Sequence, residues 1–98
     1  MQINYTKEAS MLTVAPEGRI DTLSAPELEK KLCEILDGVS ELVLDMAKVE
    51  YISSAGLRII LKIQKLMLRQ GKMKLISVNE SVMEVFEITG FSDILIIE

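Results

Sequence analysis

Two adjacent serines, Ser53 and Ser54, precede Ala55, Gly56, Leu57 and Arg58 where an extended apolar run gives way to a helical pattern. Free backbone N–H groups and the positive end of the helix dipole make a helix start hospitable to negative charge. A phosphate on either hydroxyl would add nearly two negative charges and three acceptor oxygens. The pair therefore reads as a phosphorylatable switch rather than a catalytic centre. Serine is also among the commonest N-cap residues, and from the local residues alone a plain cap is the simpler reading. If Ser53 is the cap, Ser54 falls in the first turn with its hydroxyl exposed.

Other chemistries lack their residues. The chain has no histidine and a single cysteine, Cys33, so the usual zinc sites and any His-dependent triad are excluded. Neither Gly-x-Gly-x-x-Gly nor Gly-x-x-x-x-Gly-Lys-Ser/Thr occurs, which removes the common nucleotide fingerprints. No catalytic residue, cofactor or metal site is expected. Asp45 reads as a strand-end residue that hydrogen-bonds the next loop. A net charge of −4 does not suggest nucleic-acid binding. No apolar run approaches the ~20 residues that span a bilayer, so no direct membrane insertion is expected. The N-terminus lacks the basic-then-apolar layout of a signal peptide. Cys33 has no partner for an internal disulfide and reads as a small core hydrophobe, and a reducing cytoplasm is the expected compartment.

Ninety-eight residues make one domain, and with nearly half of them apolar and few aromatic the core should be aliphatic. Ile3 to Lys7 and Met11 to Ala15 read as two strands joined by a short hairpin, with Pro16 ending the second because it cannot donate to a ladder. Gly18 to Thr22 is a connector with room for a short extended piece. Ser24, Pro26 and Glu27 suggest a capping box that opens a helix carrying Leu28, Leu32, Ile35 and Leu36, with Gly38 after it. Glu41 to Met46 is a strand whose unalternating Leu42-Val43-Leu44 suits burial on both faces. A second helix from about Ser54 to Gln70 ends at Gly71, and Lys72 to Val78 is the fourth strand. Asn79 caps a third helix with Val82, Val85, Phe86 and Ile88 on its inner side and Gly90 beyond it, and Ile94 to Ile97 is a terminal strand. The six methionines read mostly as core filler, with Met67 and Met73 able to soften a binding surface. Alternating strands and helices imply an α/β fold: one mixed sheet of about five strands, with helices mainly on one side.

Charge is unevenly spread. No acidic residue lies between Tyr51 and Val78, whereas Arg58, Lys62, Lys65, Arg69, Lys72 and Lys74 do. The spacing 58, 62, 65, 69 sets four cations on one face of the second helix. Such a stripe is either a plain solvated face or a surface that steers an acidic partner, and the two readings weigh evenly.

Over its whole length the chain resembles the STAS domain, specifically the bacterial anti-sigma factor antagonists. The resemblance lies in Gly18-Arg19-Ile20-Asp21-Thr22-Leu23-Ser24-Ala25-Pro26-Glu27-Leu28, in Leu42-Val43-Leu44-Asp45 through Val49-Glu50-Tyr51-Ile52, and in Ser53-Ser54-Ala55-Gly56-Leu57-Arg58. It implies partner switching. The unphosphorylated antagonist binds an anti-sigma factor that is also a serine kinase, which frees a sigma factor. Phosphorylation breaks the complex, and a metal-dependent serine phosphatase resets it. Carried onto this chain, the acceptor is Ser54, with Ser53 the alternate. Many antagonists have Asp at the position of Ser53, and Ala55 stands where some have a second serine. The expected partner-binding residues are Asp21, Ser53, Ser54, Ala55, Gly56, Leu57, Arg58 and Lys62. Two other readings remain: a STAS subunit of a membrane transport system without a phosphorylation cycle, and a flavodoxin-like nucleotide module, which the missing Gly-rich loop disfavours.

Overall fold

The computed structural model describes residues 1–98. β1 (Gln2–Glu8) and β2 (Met11–Ile20) form an antiparallel hairpin that runs from Gln2 opposite Glu17 to Glu8 opposite Met11. The first half of β2, Met11 to Val14, also pairs in parallel with β3 (Glu41–Asp45). Its last residues, Gly18 to Ile20, pair in parallel with β4 (Val49–Ile52). β5 (Lys72–Ile76) lies parallel to β3 on the far side, which completes a five-stranded mixed sheet in the order β1-β2-β3-β5 with β4 on β2. The α/β class and the strand number agree with the sequence reading. Which segments supply the five strands differs in three places.

The first difference is at Pro16, which was expected to end a strand and instead lies inside β2, buried opposite Ile3. Gly18 N–H donates to the Lys48 carbonyl at 2.8 Å. Residues two apart in a strand present their N–H groups to the same side, so the donor that Pro16 lacks would face that same edge. There β3 pairing has stopped at Val14 and β4 pairing begins only at Gly18, so no acceptor is left waiting. Gly18, at φ +98°, opens the β4 ladder, whose register shifts between Gly18 and Arg19 because Glu50 of β4 is left without a partner. The second difference is β4 itself, expected as part of a connection. Its four residues are buried only at the two ends, so no alternation marks it. Third, the expected C-terminal strand shrinks to one bridge between Leu75 and Ile97, after a short 3-10 turn at Phe91–Asp93.

The helices follow their apolar spacing. α1 (Ala25–Ile35) buries Ala25, Leu28 and Leu32; α2 (Ser54–Gln70) buries Leu57, Ile60, Ile63 and Met67; α3 (Glu80–Thr89) buries Val82 and Phe86. All of these join Leu12, Val14, Ile20, Leu42, Leu44, Met73 and Leu75 of the sheet in one core. The strand residues in it alternate along β2, β3 and β5, so the helices cover one face of the sheet. Val43, on the other face, is also buried, as its apolar run implied. Burying a Leu, Ile or Phe side chain contributes about 1.5–3 kcal/mol each, so the aliphatic core is the main source of stability. Met67 and Met73 are core residues rather than surface ones. Two inward assignments fail: Cys33 is exposed, and Ile88 is 85 % exposed. Both sit on helices whose buried stripe is narrower than the residues' hydrophobicity suggested.

Asn79 fastens α3 to the sheet. Its Oδ1 accepts the Val82 N–H at 2.8 Å, and its Nδ2 donates to the Val49 carbonyl of β4, also at 2.8 Å. Asn79→Ala removes a cap worth about 1 kcal/mol and a part-buried hydrogen bond worth about 1 kcal/mol. Urea unfolding should show a loss of about 2 kcal/mol. A loss within error of zero would mean that α3 is held by Val82 and Phe86 alone.

Candidate functional site

The C-terminal ends of β2 and β4 lie side by side, and Ser53 N–H donates to the Ile20 carbonyl at 2.8 Å. That bond brings the β2–α1 loop and the start of α2 to the same end of the sheet. Ser53 is extended (φ −95°, ψ 176°), and its hydroxyl accepts the Gly56 N–H at 3.3 Å. Its carbonyl accepts the Leu57 N–H at 2.9 Å. Ser53 is thus the N-cap. Ser54 is the first residue of α2; its side chain is exposed and its hydroxyl engages no protein group. The two serines, equivalent in sequence, are divided by the fold into a structural hydroxyl and a free one.

Gly56 is fixed by close approach. A Cβ there would stand 2.7 Å from both Ile20 Cγ2 and Ile52 Cγ1, and 3.0 Å from the Ile20 carbonyl oxygen. Both isoleucines are almost wholly buried. Gly56 therefore seats α2 against β2 and β4. Gly56 and Leu57, expected on the partner surface, are buried within the domain. Ala55 is half-buried, while Arg58 and Lys62 are exposed.

The β2–α1 loop is organised by Asp21. Its Oδ1 accepts the N–H groups of Leu23 at 3.0 Å and Ser24 at 3.1 Å. Ser24 does not cap α1 through its side chain: its hydroxyl donates to the Arg19 carbonyl at 2.5 Å and accepts the Asp21 N–H at 2.9 Å. The expected capping box is absent because Ser24 turns back into the loop, while Glu27 pairs with the N-terminal ammonium at 3.2 Å. The Ser24 N–H first of all, then the Leu23 N–H, the Ser24 hydroxyl and the Arg19 charge, hold the Asp21 carboxyl below its ordinary value, against partial burial. Arg19 also lies over the Tyr51 ring, 4.3 Å from its centroid. At the loop tip Leu23 is 84 % exposed. The sequence reading passed over it, although a leucine among Asp, Thr and Ser in a turn was a visible signal.

On α2 the cations Arg58, Lys62, Lys65 and Arg69 do share the outer face, with Leu61 and Leu66 half-buried among them. Lys62 is paired with Glu29 of α1, whose hydrogen bond and charge raise the lysine pKa. No helix is long and apolar enough to cross a membrane. Asp45 keeps its strand-end role, accepting the Ala47 N–H at 3.0 Å.

The site is thus an exposed serine at a helix start, a loop tied together by Asp21 beside it and a basic helix face, all on one small α/β module. The STAS domain model matches residues 2–98. BtrV of Bordetella bronchiseptica, an anti-sigma factor antagonist by name, is 38 % identical over 96 residues, which is 96 % of this chain and 83 % of BtrV. The anti-sigma-B factor antagonist of Bacillus subtilis is 35 % identical over 96 residues, 97 % of this chain and 88 % of that protein. A Thermotoga maritima crystal structure superposes with a TM-score of 0.90 at 24 % identity, covering 97 % of this chain and 84 % of the other. The chain belongs to the STAS domain family, among the anti-sigma factor antagonists.

Gly56→Ala should lower stability by about 1–2 kcal/mol: overpacking costs about 1–3 kcal/mol and the better helix former returns up to about 1 kcal/mol. Denaturant unfolding checks it, and an unchanged midpoint would show that the two isoleucines yield. The Asp21 prediction concerns acid. A carboxylate whose folded pKa is depressed adds stability that is complete above its unfolded value, ~3.9, and lost as pH falls through the folded value. Asp21→Ala should therefore lower the urea midpoint at neutral pH, and the gap to wild type should narrow below pH ~4. A gap of constant size would assign the effect to packing instead of charge.

Proposed function

We propose that this chain is an anti-sigma factor antagonist controlled by phosphorylation of Ser54. Unphosphorylated, it binds an anti-sigma factor that is also a serine kinase, and so frees a sigma factor in the cytoplasm. In the modification step Ser54 Oγ forms a bond to the γ-phosphorus of ATP, the bond to the ADP oxygen breaks, and the hydroxyl proton passes to a base of the kinase. A metal-dependent serine phosphatase returns the chain to its binding form. The observation that carries this reading is the division of labour at the helix start: Ser53 is committed to the cap, while Ser54 is exposed with a free hydroxyl. The family to which the chain belongs supports the choice of an anti-sigma factor as partner.

The expected docking surface comprises Asp21, Leu23, Ser53, Ser54, Ala55, Arg58 and Lys62. Its electrostatics suit a switch that leaves the fold alone. At a helix N-terminus a phosphate is tolerated by its own domain. Against a docked partner with acidic groups it meets like charge and must be desolvated. Losing ~3 kcal/mol of binding is about a hundredfold in affinity.

Incubation with the cognate kinase and ATP should add a single phosphate, and peptide mapping should place it on Ser54. In calorimetry, Ser54→Ala should bind the unphosphorylated form's partner with wild-type affinity, and Ser54→Asp should bind at least about tenfold more weakly, with less charge than a phosphate. Modification at Ser53 alone would overturn the choice of residue. Absence of modification would favour a transport-system subunit that binds without a phosphorylation cycle.

A further inference from the structure

We propose that Arg58 is the intramolecular receptor for the phosphate on Ser54, so that modification closes a Ser54–Arg58 ion pair along α2 and withdraws the first cation of the basic face from the partner. This rests on the reading of Ser54 as the modified residue; the role of Arg58 is additional to it. Residues four apart on a helix have Cβ atoms about 5–6 Å from each other. Helical side chains lean towards the N-terminus, so a guanidinium at position 58 is within reach of the turn that begins with Ser54. The acid lies N-terminal to the base, which is the better of the two orders.

Arg58 is also the available cation. Both Ser54 and Arg58 are exposed. Lys62 is held by Glu29, and Arg19 is engaged by Asp21 and Tyr51. Arg58 has no ion pair, and no acidic residue occurs anywhere on α2 to compete for it. Its planar fork matches phosphate oxygens two at a time, which a lysine cannot do. The same geometry discriminates between the serines. Four residues beyond Ser53 is Leu57, buried in the core, so a phosphate on Ser53 would find no such partner. The switch then acts twice on the docking surface: it adds negative charge at Ser54 and neutralises a positive charge one turn away.

The test uses the full chain with phosphoserine inserted at position 54 during translation, so that no kinase is needed. The kinase assay above reports separately on whether Ser54 is the natural acceptor. The chain has three arginines, Arg19, Arg58 and Arg69, whose side-chain Nε–Hε signals are resolvable by nitrogen-edited NMR. The Arg58 signal should shift and exchange more slowly with water on phosphorylation, while that of Arg69 stays in place. By phosphorus NMR titration at low salt, the second phosphate pKa should be roughly 0.4 units higher in Arg58→Gln than in the otherwise identical phosphoprotein. Asp21 and Arg19, the charged groups of the neighbouring loop, are unchanged in that comparison. An unmoved Arg58 signal, movement of Arg19 instead, or equal phosphate pKa values in the two proteins would each overturn the proposal.

Discussion

Strand β2 is the member on which the other elements depend, because it alone is paired to three others. It takes β1 along its whole length on one edge, and β3 and then β4 along the other. Two parallel partners cannot occupy one stretch of edge, so β2 must be long enough for both, with a gap between them. Pro16 and Gly18 suit this passage: one needs no acceptor in the gap, and the other adopts a positive φ where the β4 ladder begins. From the end of that strand, the Ile20 carbonyl holds Ser53, and the buried Ile20 side chain sets how close Gly56 can come. The site is therefore located by the sheet rather than by the loops around it.

This placement suits the proposed switch, in which the chain is recognised in two charge states. Ser54, the proposed acceptor, is the first residue of a helix that is packed against the core by Gly56, Leu57 and Ile60. Its neighbour has already satisfied the cap, and the loop alongside is tied together by the Asp21 carboxylate. Little at this end of the molecule needs to move when charge is added. A rigid surface with a changeable charge discriminates between partners by electrostatics and desolvation. The Lys62–Glu29 pair separates the serine end of the basic face from Lys65 and Arg69, so the four cations are not equivalent although their spacing is regular.

Much of this was legible from local rules. Helical spacing marked all three helices, Asn79 and Gly90 marked the ends of α3, and the unalternating Leu42-Val43-Leu44 marked a strand covered on both faces. The absence of histidine and of phosphate-cradling glycine motifs excludes His-dependent and common nucleotide-binding chemistry on composition alone. The readings that failed share one cause. Pro16 and β4 depend on which segment lies alongside β2, and no local pattern carries that information. Ser24 and Glu27 match a capping box, but Ser24 found a partner in the Arg19 carbonyl and Glu27 in the chain's own N-terminus. Cys33 and Ile88 show that hydrophobicity does not ensure burial when the helix face opposite the core is the one it lands on.

By itself the sequence determined the α/β class, the aliphatic core, the helix that begins at the serine pair and the cationic spacing of its outer face, because each of these follows from periodicity and residue type within a few turns of chain. The tertiary structure decided which serine is free. Ser53 and Ser54 have the same chemistry and adjacent positions; what separates them is that Ile20, more than thirty residues earlier, accepts the Ser53 N–H and holds its backbone extended, so that its hydroxyl turns to cap the helix and leaves Ser54 facing outward.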